Sequence, residues 1–263
     1  MLSGKKLLLT ALLVLSAALP AAAYRQSDVD RLLATRSCPG GDLRGAYLRD
    51  EDLTGADLQG ADLSYANLTN AILENASLKE ANLQKANFRN AYMAGANLEG
   101  ADLSNANLSH TVLNRSSLVG VTAYRTSFSH ALLTFANLYT ADLRESNFDY
   151  ANGAMANFFS ANLARSWFFS TQLRGANFTS ANLYNARLRK ASLPEANFKN
   201  ANLMSSTLED SNLSRAVLTN ANLDDADLSH ANLEGTQFTN ADLAAARPAR
   251  HRSAGCGWWR PGG

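Results

Sequence analysis

The side chains of this 263-residue chain with the most chemistry in them are four histidines, two cysteines and 23 carboxylates. His110 and His130 stand 20 residues apart, and Tyr150 follows at the same interval. If the chain repeats on that interval the two imidazoles stack, and a stacked pair can bridge a soft divalent metal. A metal site needs three or four ligands and no third accompanies the pair, so they read as two solvated histidines. No Ser-His-Asp or Cys-His set, phosphate loop or metal-spacing motif stands out. Ser, Asp and Asn recur along the whole length because they suit turns and side-chain ladders, so their abundance carries no catalytic signal. The expectation is a protein that is not an enzyme and holds neither cofactor nor metal.

The elements that must position these residues follow from an internal period of five. From Leu43 to Leu243, stepping by five, 41 positions keep one register; 38 are Leu or Phe, the exceptions being Met93, Ala123 and Gly153. Two residues earlier in each unit, 29 of the 41 are Ala and nine are Ser or Thr. A helix needs spacings of three and four and a plain strand needs two, so neither explains a five. A coil that turns a corner at every unit does. With one large and one small residue of each unit pointing inward, four units close a turn of about 20 residues that stacks on the next at about 4.8 Å. About ten such coils make a rod of roughly 48 Å. Leu43, Leu63, Leu83 and Leu103 then form one core column, and Phe128, Phe148 and Phe168 part of the next.

ADLQG, ADLSY, ANLTN, ANLQK, ANLEG and ADLSN resemble the A(D/N)LXX motif of the pentapeptide-repeat family, over residues 41 to 243. The resemblance implies an all-β fold, a right-handed quadrilateral parallel β-helix, and implies no catalytic residues. The run DRLLATRSCPGGDL is similar to the N-terminal helix and first coil of cyanobacterial members. A CPGCDL run is expected there; Gly41 stands in place of its second Cys, so a local Cys-x-x-Cys bridge is absent.

Residues 1–23 read as a signal peptide, with Lys5 and Lys6 before the apolar run Leu7 to Leu19 and an A-x-A site at Ala21–Ala23. The run is too short for a stable membrane span, which needs about 20 apolar residues. An exported protein is expected, in the periplasm, the thylakoid lumen or the medium, beginning at Tyr24 with 22 bases and 23 acids. Residues 24–40 are read as a capping helix N-capped by Ser27 and a linker, 41–245 as the solenoid, and 246–263 as a basic tail carrying Trp258 and Trp259. Cys38 and Cys256 fall at opposite ends of the rod, too far apart to bridge within one chain. Phe238 and Leu243 lack a recognisable cap, which makes the C-terminal end of the coil a candidate homodimer contact.

Charge along the rod is uneven. Residues 41–105 carry ten acids and five bases, residues 106–190 three and eight, and residues 191–243 eight and two. Outward aromatics fall in the basic middle: Tyr124, Phe135, Tyr139, Tyr150, Phe159, Trp167, Phe169 and Tyr184, with Arg125, Arg165, Arg187, Arg189 and Lys190 beside them. Exposed aromatics and Arg are enriched where proteins bind one another, so this belt is the candidate partner surface. In the same zone Ala123 and Gly153 replace large core residues, and Thr111, Ser116, Val121 and Thr126 interrupt the Ala column. A cavity there would cost about 2 to 5 kcal/mol unless neighbours fill it. Phe128, Phe148 and Phe158 are placed to fill part of it, and a local bulge or kink is expected.

The leading reading is a non-catalytic scaffold that displays a rigid surface to an unknown protein partner. The resemblance also implies a second reading, from family members that mimic B-form DNA and bind topoisomerase. That reading fits neither the leader nor the basic waist. A third would use the aromatics as a stacking platform for carbohydrate. A net charge of +1 for the whole chain argues against nucleic acid as a partner.

Overall fold

Each corner of the coil is made by the last two residues of a unit. The N–H of the small residue that follows donates to the C=O of the central residue, as from Ala46 to Leu43 at 3.0 Å and from Ala136 to Leu133 at 2.9 Å. The residue closing the turn lies in the left-handed region. At Gly55 (φ 66°) and Gly175 (φ 64°) this is easy, but Phe135 (φ 60°) and Tyr150 (φ 61°) hold it too. The Asp or Asn before each central residue explains the second letter of the motif. Its side-chain oxygen accepts the N–H two residues on, as Asp52 does from Thr54 (3.0 Å) and Asn222 from Asp224 (2.9 Å).

The computed structural model describes residues 24–249. Parallel bridges join residues 20 apart in one unbroken series, from Ser37 with Asp57 to Asp227 with Arg247. Each unit gives the ladder only one bridging residue, so the walls are stacked single bridges and not extended strands; helix α1 (Gln26–Thr35) is the one regular element among the described residues. Inside, the expected columns close up: Leu43, Leu63, Leu83, Leu103, Phe128, Phe148 and Phe168 are all buried. Phe128, Phe148 and Phe168 stack at 4.8 and 4.9 Å, and Phe158, Phe178 and Phe198 at 4.8 Å.

The irregular core does not bulge the ladder. Around Gly153 the backbone bonds stay between 2.6 and 3.1 Å, and Ala123 donates to Asp142 at 2.7 Å. The reason is packing across the interior. Phe148 and Phe158, on opposite walls, meet edge to face with centroids 5.9 Å apart. Gly153 lies on the wall between them, and a Cβ there would sit 3.0 Å from Leu173 Cδ2 and 4.0 Å from Phe158 Cε2. Leu173 of the next coil, together with Phe158, has taken the space.

Polar residues in the small-residue column solve their own burial. Thr111 donates to Leu108 C=O (2.6 Å), Ser116 to Leu113 (2.7 Å), Ser166 to Leu163 (2.6 Å) and Thr126 to Leu103 (2.7 Å). The buried hydroxyls of Ser206 and Ser211 have no partner.

The N-terminal end is capped by α1, but Ser27 is not its N-cap. Arg25 holds that place with no side-chain cap bond, because its N–H is tied to the C=O of Asp42 at 3.0 Å and the helix begins at once after it. The carboxylate of Asp28, buried against the coil, accepts the edge N–H of Asp42 at 2.9 Å and pairs with Arg25 and Arg31 at 3.5 and 3.3 Å. Val29 and Leu32 cover the first core residues. Cys38 is buried and free, and a Cβ at Gly41 would meet its sulfur at 2.2 Å, so the thiol fills the space a larger residue at 41 would need. At the other end the register runs past 245: Ala246 is buried, and Arg247 exchanges bonds with Ala226 (2.8 Å) and Leu228 (3.0 Å). Leu233, Phe238 and Leu243 are only partly covered. Residues 1–23, expected to be a signal peptide, and residues 250–263, with Cys256, Trp258 and Trp259, lie outside the described residues. No described helix is long and apolar enough to cross a membrane.

Candidate functional site

Residues 20 apart share a column, so the belt can be placed wall by wall. The first wall carries Tyr124, Arg144, Ala164 and Tyr184 in one outward column, with Arg125, Glu145, Arg165 and Asn185 at the corner beside it. The second wall carries Asn147, Trp167 and Arg187 in one column and Asp149, Phe169 and Arg189 in another. Three adjoining grooves open on these two walls. One of about 470 Å³ runs along the corner between Arg125, Glu145, Arg165, Trp167 and Arg187. A second, about 390 Å³, lies over Ala164 between Tyr124, Arg144 and Tyr184. The third, about 400 Å³, is bounded by Asp149, Trp167, Phe169, Arg187 and Arg189.

Of the expected belt, Tyr124, Arg125, Arg165, Trp167, Phe169, Tyr184, Arg187 and Arg189 are thus brought together. Tyr150 borders them, its ring edge-on to Phe169 at 5.5 Å. Tyr139 and Phe159 stack on each other at 5.5 Å on a different wall, and Phe135 stands alone at a third corner, 53% exposed. These three do not belong to the grooves. Nor are outward aromatics confined to the middle: Tyr47, Tyr65 and Tyr92 are exposed in the N-terminal third. Sequence reasoning missed Arg144 and Glu145 as groove walls, although their spacing of 20 from Tyr124 and Arg125 marks them. It also missed Ile72, Tyr92, Val112 and Leu132, an apolar outward column over four coils of the third wall.

The groove charges are largely matched. Arg125 pairs with Glu145 at 2.8 Å, Arg144 with Asp142 at 2.7 Å, and Arg189 with Glu209 at 3.1 Å. The Tyr124 hydroxyl donates to Glu145 at 3.2 Å, and its ring lies 4.9 Å below the Arg125 guanidinium. The Arg125 hydrogen bond holds the Glu145 carboxyl below the usual carboxylate range, and Arg144 does the same for Asp142. The side chains of Arg165 and Arg187 have neither an ion pair nor a hydrogen bond among the described residues. Arg187 only leans over Trp167, 6.0 Å from the ring centroid.

His110 and His130 stack at 4.6 Å, and His130 on Tyr150 at 4.9 Å. Desolvation, then the nearby His130, lowers the His110 pKa. No group of three His, Cys, Asp or Glu among the described residues is placed to hold a metal.

Known proteins can now be set beside this geometry. A comparison with curated proteins finds no match. The family model for pentapeptide repeats, eight copies, matches residues 42–75, 71–109 and 156–193, and the model for a pentapeptide repeat region matches 181–249. Among solved structures the chain is similar to QnrB1, a plasmid-mediated fluoroquinolone resistance protein. The trypsin-treated form is 17% identical over 67% of this chain and 89% of that one, with a TM-score of 0.52. It is also similar to HetL, a pentapeptide repeat protein involved in heterocyst differentiation regulation in the cyanobacterium Nostoc sp. strain PCC 7120. HetL is 25% identical over 85% of this chain and 96% of that one, at a TM-score of 0.37. A pentapeptide repeat protein of the Arabidopsis thaliana thylakoid lumen is 28% identical over 34% of this chain and 63% of that one, at 0.34. The family matches and the likeness to QnrB1 imply a right-handed quadrilateral β-helix, and the parallel ladder with its 20-residue spacing agrees with it. By its repeats, its ladder and these matches, the chain belongs to the pentapeptide-repeat family.

Proposed function

We propose that this protein is a non-catalytic scaffold of an exported compartment and that it binds a protein partner through the two adjoining walls centred on Trp167. One observation carries the reading: the three grooves lie side by side where Tyr124, Trp167, Phe169 and Tyr184 alternate with arginines. Aromatic and Arg side chains in preformed recesses are the composition of binding hot spots. A ladder closed at every rung holds them in place, so little ordering entropy opposes association. The signal-like segment 1–23 supports export. The DNA-mimic reading needs a continuous anionic length, which eight bases against three acids in residues 106–190 interrupt. At the C-terminal end, the partial exposure of Leu233, Phe238 and Leu243 supports a contact with a second copy.

The test is affinity capture from the native compartment with wild type and with the triple variant Trp167→Ser/Phe169→Ser/Tyr184→Ser. Wild-type far-ultraviolet circular dichroism with loss of the partner is the expected result. A partner retained by the triple variant removes these walls from the reading.

A further inference from the structure

Of the five arginines that line these grooves, Arg125, Arg144 and Arg189 are paired with carboxylates, and Arg165 and Arg187 are not. Arg165 and Arg187 come from neighbouring coils, and both line the corner groove beside Trp167. A guanidinium presents donors suited to two oxygens of a carboxylate, and a pair of them beside a ring makes a seat for one. A slot adjoins that seat. In the column Tyr124, Arg144, Ala164, Tyr184 every member but Ala164 is long, so one layer is missing from a stack spaced about 4.8 Å per coil. The gap is floored by the methyl of Ala164 and walled by Arg144 on one side and Tyr184 on the other. It is one side-chain layer deep, the thickness of a flat ring.

Resting on the scaffold reading above, we propose that this corner receives an acidic protein segment in which a carboxylate stands next to an aromatic residue. The carboxylate enters between Arg165 and Arg187, and the ring fills the slot over Ala164 against Tyr184. The charge pattern decides between a protein and a polymer of uniform negative charge. Along the corner the order is Arg125, Glu145, Arg165, and Asp149 faces the neighbouring groove. Glu145 stays ionised because Arg125 holds its pKa down. A polyuronate or nucleic acid laid along the groove would bring a charge to Glu145 as well as to Arg165. A protein segment can place its carboxylate at the arginines alone.

The experiment titrates the full chain with a labelled twelve-residue peptide carrying two Glu-Phe pairs in a Gly/Ser background, read by fluorescence anisotropy. Its Gln-Phe counterpart and trigalacturonate are titrated in parallel. The Glu-Phe peptide should bind best. Arg165→Gln and Arg187→Gln should each weaken it by about tenfold, the loss of one charge-assisted hydrogen bond. Ala164→Leu should weaken it at least as much by filling the slot. All three substitutions are on outward positions, and unchanged thermal melting checks that the coil is intact. Equal binding of the two peptides, no binding of either, stronger binding of trigalacturonate, or indifference to the three substitutions would each overturn the proposal. If the native partner is lost with the Trp167 triple variant while these titrations fail, the scaffold reading stands and only the acidic-aromatic assignment falls.

Discussion

Leucine in place of Gly153 separates a filled core from a hollow one, because the two predict opposite signs. Residue 153 occupies a central position where 38 of 41 units carry Leu or Phe, so a degenerate unit would leave a void. Returning a leucine to a void would bury about three methylene groups beyond the Cβ, worth roughly 2 kcal/mol or more of stabilisation. The structure says otherwise. The new Cβ would stand 3.0 Å from Leu173 Cδ2, 3.7 Å from Ala156 Cβ and 4.0 Å from Phe158 Cε2 before any further carbon is added. Leu173 would have to leave its position, and Phe158 is held edge to face against Phe148 and Phe168. Overpacking of this kind costs about 1 to 3 kcal/mol, a fall in Tm of about 2 to 12 °C at this size. Gly153→Ala should be nearly neutral. The Leu173 methyl has to yield a few tenths of an ångström, and the lost backbone freedom of the unfolded chain offsets that by about 0.4 to 1 kcal/mol. Thermal melting followed by circular dichroism reads both variants. A higher Tm for Gly153→Leu than for wild type would show that the site is empty and refute the packing argument.

Two other substitutions test the polar bookkeeping of the coil. Ser206→Ala and Ser211→Ala each remove a buried hydroxyl without a partner and should raise stability by about 1 kcal/mol, whereas Ser166→Ala gives up a 2.6 Å bond to Leu163. Equal gains from all three, measured by denaturant titration, would contradict this account. Asp28→Ala uncovers the edge N–H of Asp42 and should cost about 1 to 3 kcal/mol. Its signature is faster hydrogen exchange at the Asp42 amide with protection unchanged beyond the second coil; protection unchanged at Asp42 itself would mean that the helix is no cap.

The repeat was legible because every unit makes the same local decision. Leu or Phe faces in, Ala leaves room at the corner, and Asp or Asn accepts the turn N–H, so position in a unit fixes direction and steps of 20 fix neighbours. Columns could therefore be read before any coordinates, and the His110–His130–Tyr150 and Phe128–Phe148–Phe168 stacks stand as that spacing requires. What the period does not encode is contact between walls. Leu173 is the neighbour below Gly153 that the 20-residue step supplies, but the approach of Phe158 to the Gly153 site and its edge-to-face meeting with Phe148 cross the interior. Asp28 acts as a cap through a backbone group 14 residues away, which helix-start signals at Ser27 do not reveal. At the surface, grouping by charge and aromaticity marked the length of rod on which the three grooves open but mixed its walls. Tyr139, Phe159 and Phe135 lie in the same middle stretch of the rod as Trp167 but not on its side. Arg144 and Glu145 join the groove walls through ion pairs with Asp142 and Arg125, which the period of five does not encode.

The central claim, that the walls around Trp167 are where the partner sits, is tested most directly by contact itself. A photoreactive benzoyl-phenylalanine placed at Phe169 or at Tyr184, and as a comparison at Leu132 on the exposed apolar column of the third wall, can be irradiated in the native host. The account predicts one and the same covalent adduct from positions 169 and 184 and none from 132. An adduct from 132 with none from 169 or 184 would place the partner on the other side of the rod and contradict it.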